Sequence, residues 1–330
     1  MKKIFVILLT LAMLCSTLCA CGGPAENHKT AAKYSVVTTI FPEYDWVRCL
    51  LGDAAADFDL TILLDSGADL HNYEPTATDI VKVSECDMFI YVGGESDDWA
   101  DDVLAQATNK DMTVIDLMEV LGDRVKIEEV KEGMEAEHEE DEEDEEGEEE
   151  GPETDEHVWL SLKNAAILCK YIAGKLGALA PEHKAAVDAN AAAYVAQLNA
   201  LDAEYQAAAD GAAVKTLLFG DRFPFRYLTD DYGLDYYAAF VGCSAESEAS
   251  FETIAFLADK VDELGLKAIM QIETADGTIA ETIKNTTKTK DQTIYTLDSL
   301  QSTTAKDIAE GKTYLDTMKN NLAVLKDALK

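Results

Sequence analysis

GADLHNYEPTATD, residues 67–79, places His71 between the end of an apolar run, FDLTILL (58–64), and the start of a helix. Strand, polar turn, helix is the unit from which α/β folds are built, and the same unit recurs along the chain. Outward from it, strand-like runs appear in the first half at YSVVTTI (34–40), DMFIYVG (87–93) and MTVIDL (112–117). The second half carries VKTLLFG (214–220), LDYYAAF (234–240), LKAIMQI (266–272) and QTIYTL (292–297). The runs are apolar throughout and rich in β-branched and aromatic residues, as parallel strands covered on both faces must be. Helical stretches alternate with them. The pattern predicts two α/β lobes, each with a mainly parallel four-stranded sheet flanked by helices.

A long helix should join the lobes. From Leu162 to about Asp210 the chain is rich in Ala, Leu and Lys, interrupted at Leu179-Ala180-Pro181. Pro181 suits a first helical turn, with Glu182 nearby to complement the helix dipole. A helix over 181–209 would extend about 40 Å, and without a sustained heptad it reads as a rigid spine. The boundaries this sets are 34–180 for the first lobe, 181–210 for the connecting helix and 211–330 for the second lobe.

The first twenty residues, with Lys2 and Lys3 ahead of a short apolar stretch, have the form of an export signal. They end in Leu18-Cys19-Ala20-Cys21, which resembles the bacterial lipobox, so Cys21 is the expected lipidation site; a plain signal peptide cut after Ala20 would end the same way. Residues 21–33 read as a tether. The expected product is exported and lipid-anchored at the outer face of the cytoplasmic membrane.

The formal charge is −37, of which −16 is confined to Glu135–Glu156, leaving −21 for the rest. Such a balance excludes a nucleic-acid partner, which needs a basic footprint. The acidic run cannot bury apolar surface and is expected as a disordered loop (133–155) within the first lobe. Its one histidine, His138, makes it a candidate auxiliary cation collector, with a plain solvated loop as the other reading. Cys49, Cys86, Cys169 and Cys243 are widely spaced and show no CxxC pairing, so they read as free thiols and not as a cysteine zinc site. Trp46, Trp99 and Trp159 read as packing around a cleft.

In open α/β sheets ligands bind beyond the carboxyl ends of the strands. His71 lies beyond the second strand and His157, in DEHVWLS, closes the acidic insertion beyond the fourth. Asp221, Glu273 and Asp298 lie beyond the fifth, seventh and eighth. Two imidazoles and one or two carboxylates make a reasonable zinc or manganese site. Each residue alone is weak evidence, since a lone histidine at a strand end is commonly structural and a lone aspartate is commonly an N-cap.

HNYEPTATD resembles the H-x-(F/Y/W)-E-P-(T/S)-x-x-D motif of the metal-binding lipoproteins of zinc and manganese ABC importers. DIVKVSECDMFIYVGGESDDW, DEHVWLS, IYTLDSL and YLDTMKNNLAVLKDAL are similar to further segments of that family, in the family's order, from Tyr34 to Lys330. The resemblance implies a two-lobed solute-binding protein with the metal in the inter-lobe cleft. His71 and His157 match two histidine ligands, and Asp298 matches an aspartate that some members use. It also implies a monomer that hands its ion to an importer permease.

The third ligand is where the sequence departs. The family has His or Glu opening a segment like H-x-A-F-x-Y-L, and here the stretch is GDRFPFRYLTDDYG. A gapless match puts Arg222 at the ligand position, and a guanidinium cannot bind a cation. Pro224 suggests a one-residue shift that makes Asp221 the candidate; otherwise Asp221 is ion-paired to Arg222 or Arg226. Glu273 is the weaker candidate. Glu156 and Leu162 also replace the prolines usual around the second histidine. Zn2+ is the expected ion, because the acidic loop resembles that of zinc members and zinc binds N/O sites more tightly than manganese. Mn2+ remains the alternative, since two histidines with two carboxylates also resemble the manganese pattern. A secreted metallo-hydrolase is the contrasting class, but the chain has no HExxH and no GxSxG. A surface adhesin is the third.

Overall fold

A computed structural model describes residues 32–135, 153–244 and 248–330. The export segment with Cys21 and most of the acidic run, His138 included, lie outside the described residues. No described helix is long and apolar enough to cross a membrane.

All eight predicted strands form. They are β1 (Tyr34–Thr38), β2 (Phe58–Ile62), β3 (Met88–Tyr91) and β4 (Thr113–Asp116) in one sheet, ordered β2-β1-β3-β4. A two-residue pair, β5 (Lys126–Ile127) and β6 (Thr154–Asp155), stands apart as an antiparallel ribbon. The second sheet holds β7 (Thr216–Phe223), β8 (Asp235–Val241), β9 (Ala268–Ile272) and β10 (Thr293–Leu297), ordered β10-β9-β7-β8. Both four-stranded sheets are parallel throughout. Every residue of β3 is buried, which is why its sequence is apolar without alternation.

The motif after His71 now has a local cause. Thr76 caps the helix Ala77–Glu85: its hydroxyl accepts from the Asp79 amide, and its own amide and hydroxyl donate to the Asp79 carboxylate. Tyr73 donates its hydroxyl to the same carboxylate at 3.2 Å. Such a capping box satisfies helix-end donors at both ends of the turn. Thr76 and Asp79 thus hold the turn, which leaves His71 to line the cavity beside it.

Helices Leu162–Leu179 and Lys184–Asp210 pack as a hairpin. The second begins three residues later than predicted, because Ala180–His183 form the turn between them and Glu182 is spent on Lys33 and Tyr34. This spine also packs on helix Phe41–Leu51 and on the last helix, Tyr314–Ala328. The chain's end therefore returns to the first lobe: Tyr314 donates its amide to Asp45 at 2.8 Å and its hydroxyl to the Trp159 carbonyl at 2.6 Å. One apolar cluster runs from the first sheet (Val36, Phe89) through the hairpin (Leu168, Leu198) to one face of the second sheet (Phe219, Met270). Leu218, Leu257, Ile269 and Ile283 form a smaller cluster on the other face.

The stems of the acidic insertion reach the second lobe. The Glu135 amide donates to the Ala239 carbonyl at 2.9 Å, Lys131 pairs with Asp235, and Arg226 with Glu129. Tyr227 ties both stems together, accepting from the Lys126 amide at 2.9 Å and donating to the Asp155 carbonyl at 2.7 Å. Cys86 and Cys169 are buried, Cys49 and Cys243 half-buried, and all four are free. Trp46 and Trp159 are fully buried, and Trp159 donates to the Ser299 carbonyl at 2.8 Å.

Candidate metal centre

Asp69, Leu70 and His71 make a tight turn in which the Asp69 carboxylate accepts the His71 amide at 3.1 Å. On the ring, Nδ1 lies 2.8 Å from Ser96 Oγ and 3.4 Å from Glu156 Oε2. His157 is held the same way: Asp155 Oδ1 accepts its backbone amide at 2.9 Å and lies 3.0 Å from its Nδ1. With both Nδ1 atoms engaged by oxygen, both Nε2 atoms face the cleft, 3.1 Å apart. Two imidazoles on a tetrahedral zinc would stand about 3.3 Å apart, from Zn–N bonds near 2.05 Å. Orientation of a ligating ring through an oxygen on its other nitrogen is the usual outer-shell arrangement of a metal histidine. The residues present fit a divalent ion.

Glu156, which stands where the related motif has proline, therefore serves His71. Burial pushes its carboxyl up, but His71 and Ser96 outweigh burial and the net displacement is downward. Gly94 makes room for it: at φ 81° a Cβ there would strike the Glu156 carboxylate. His157 is wholly buried beside Trp159, ring centroids 5.2 Å apart, and against Gly242, where a Cβ would come within 3.0 Å of the imidazole Cε1.

The second lobe does not bring its carboxylates here. Between Phe219 and Arg222, β7 slips register against β8, so Gly220 and Asp221 together oppose Ala239. Bulges re-aim side chains. This one turns Asp221 into its own sheet, where it accepts the Arg222 amide at 2.9 Å and the Ile272 amide at 3.0 Å; burial pushes its carboxyl up. Arg222 instead crosses to Asp69, and burial of that carboxylate is outweighed by the guanidinium, which holds it below its ordinary range. Glu273 accepts from the Ser299 amide and hydroxyl at 2.7 and 2.8 Å, and burial beside Asp298 raises it. Asp298 accepts the Leu300 amide at 2.8 Å and pairs with Lys312 at 2.7 Å. Gln301, with its amide nitrogen turned to Asp69 (2.8 and 3.0 Å), brings its oxygen to 2.5 Å from His157 Nε2.

Cys243 reaches both histidines. Among the described residues, donor atoms of His71, His157 and Cys243 all lie within 4.8 Å of one another. Cys243 lies just beyond β8, the sixth of the eight main strands, so the strand-end rule that located the other candidates would have found it. A cavity of about 230 Å³ borders the cluster, lined by His71, Glu95, Ser96, Glu153, Glu156 and Cys243 among others. Its acidic lining suits a cation's approach.

The geometry agrees with the comparisons. Residues 36–328 match the family described as ZnuA, zinc-uptake complex component A, periplasmic. The zinc-binding lipoprotein AdcA of Streptococcus pneumoniae is 31% identical over 331 residues, which cover 99% of this chain and 61% of AdcA. The chain thus spans about three fifths of the length of that relative. The high-affinity zinc uptake system protein ZnuA of Bacillus subtilis is 30% identical over 313 residues, 94% of this chain and 93% of the relative. Among solved structures, the Zn(II)-bound ZnuA-like domain of S. pneumoniae AdcA superposes with a TM-score of 0.70 at 28% identity, covering 90% of this chain and 99% of the other. The metal-dependent lipoprotein YcdH of B. subtilis gives 0.70 at 25% identity, with 90% and 99% covered. With the family match running almost the length of the described body and including both histidine turns, the chain belongs to the ZnuA family of periplasmic zinc-uptake components.

Proposed function

We propose that this protein captures zinc outside the cytoplasmic membrane, tethered through Cys21, and passes the ion to the permease of an ABC-type importer. The observation that carries this is the pair of Nε2 atoms 3.1 Å apart, each ring fixed by an oxygen at Nδ1. A hydrated ion entering the acidic cavity exchanges water for imidazole lone pairs. Asp155 at the far nitrogen of His157, and Ser96 at that of His71 with Glu156 close by, hold and strengthen those donors. Release follows when the permease disturbs the lobes, which the Asp69–Arg222 pair spans at the site. Binding and release require no bond-making in a substrate, so the role is carriage and not catalysis. Zinc is favoured over manganese because imidazole suits it and because the relatives AdcA and B. subtilis ZnuA are named as zinc proteins.

His71→Ala and His157→Ala should each weaken zinc binding at least about tenfold, a loss of about 1.4 kcal/mol, with circular dichroism unchanged. Competition titration against a chromophoric chelator reads the affinity. Parent-like titration of both variants would sink the proposal.

A further inference from the structure

The three second-lobe carboxylates that the sequence offers as ligands are each engaged elsewhere: Asp221, which lies within β7, on two backbone amides, Glu273 on Ser299, Asp298 on Lys312. The position that the related motif gives to a ligand holds Arg222, which is paired to Asp69. Among the described His, Cys, Asp and Glu residues of the second lobe, the one whose donor atom gathers with both histidines is Cys243. We propose that Cys243 is the third protein ligand, closing a two-histidine, one-thiolate set that selects zinc against manganese; this rests on the zinc-capture reading above.

Several features build the position. Cys243 lies two residues past the end of β8, at the carboxyl edge where open α/β sheets bind ligands. Its amide donates to Glu128 Oε1 at 3.0 Å, which fixes the backbone of the turn. Gly242, which lacks a side chain, lets that backbone lie directly against His157, where a Cβ would be 3.2 Å from Nδ1. The thiol is free and borders the cavity that leads to the histidines. A tetrahedral zinc with Zn–S near 2.3 Å and Zn–N near 2.05 Å needs sulfur and nitrogen about 3.5 Å apart. The observed spread of at most 4.8 Å closes to this with a shift of about an ångström. On binding, a sulfur lone pair bonds the ion and the S–H proton passes to solvent, as metal coordination of a thiol requires. Thiolate favours zinc, whereas manganese prefers oxygen donors. Three protein donors leave a fourth position, as in open zinc sites, for water or for the group that removes the ion.

The test uses cobalt(II) in place of zinc in the full chain, because thiolate bound to tetrahedral cobalt gives a charge-transfer band in the near ultraviolet that histidine and carboxylate do not. The parent should show this band at one equivalent, and zinc should abolish it. Cys243→Ala should lose it while keeping the six other cysteines, lower zinc affinity at least about tenfold, and narrow the zinc-to-manganese preference by a similar factor. Cys243→Ser, nearly isosteric, gives the same readout if the alanine variant does not fold. A parent that binds cobalt and zinc without the band, or a band and an affinity unchanged in both variants, overturns Cys243 as ligand and leaves zinc capture standing. A parent that binds neither ion overturns both.

Discussion

Arg222 reaches from the bulged end of β7 to the Asp69 carboxylate, one residue short of the leucine that precedes His71. The same carboxylate caps the His71 amide and lies 4.0 Å from His71 Nε2. A negative charge 4.0 Å from His71 Nε2 is therefore paired with a residue of the opposite lobe, and the two lobes are clasped at the site. Arg222→Gln should raise zinc affinity about threefold to tenfold by leaving Asp69 uncompensated beside the ion. The same change should lower the melting temperature of the chelator-treated protein, because a largely buried carboxylate loses its partner. Affinity that does not move would mean that Asp69 does not sense the bound ion.

Asp155 and Glu156 separate in the same assay. Asp155 holds both the amide and Nδ1 of His157, so Asp155→Ala frees the ring and should cost about tenfold to a hundredfold in zinc affinity, the usual effect of an outer-shell loss. His71 keeps Ser96 when Glu156 is changed, so Glu156→Gln should cost about threefold or less. Equal losses in the two variants would contradict this division.

The strands were legible because parallel strands buried on both faces leave apolar runs that polar surface helices do not. His71 and His157 were legible because each sits in a local turn with its own sequence signature. Asp221 was not, for a reason outside its neighbourhood: the register slip at Gly220-Asp221 exists only when β7 and β8 pair, and it decides which way the carboxylate points. Nor could the sequence show that the acidic insertion, which leaves from the first lobe, is rooted on β8 of the second; that depends on Glu135 meeting Ala239. Cys243 is invisible to cysteine spacing, because the residues that gather with it are histidines of the other lobe, and only its place beyond a strand marks it.

Asp221 supplies a direct test of that account. Asp221→Ala removes the acceptor for two backbone amides in a site largely shielded from water, which should cost about 1–3 kcal/mol in urea unfolding. Zinc affinity should stay within about twofold of the parent. A tenfold loss of affinity with unchanged stability would instead make Asp221 a ligand.

Asp97 should contribute a traceable share of the pH dependence of stability, beside other buried carboxylates such as Glu43. One of its oxygens accepts the Val92 and Gly93 amides at 2.9 and 3.2 Å, while the other is buried without a partner. Burial pushes the carboxyl up to about 7, against the pull of the Gly93 amide and with Glu156 and Asp116 adding to the rise. The unfolded chain releases this proton near pH 4. Between the two values the folded state holds more protons than the unfolded state, so stability falls as pH rises. The contribution is fully present below about pH 4 and is lost by the time pH passes 7. Asp97→Asn keeps an acceptor for the two amides and removes the charge. Urea unfolding in the presence of chelator should therefore show the variant gaining on the parent as pH goes from about 5 to about 8, by on the order of 1 kcal/mol. A parent-to-variant difference that stays constant across that range would show that Asp97 is ionised in the folded protein throughout.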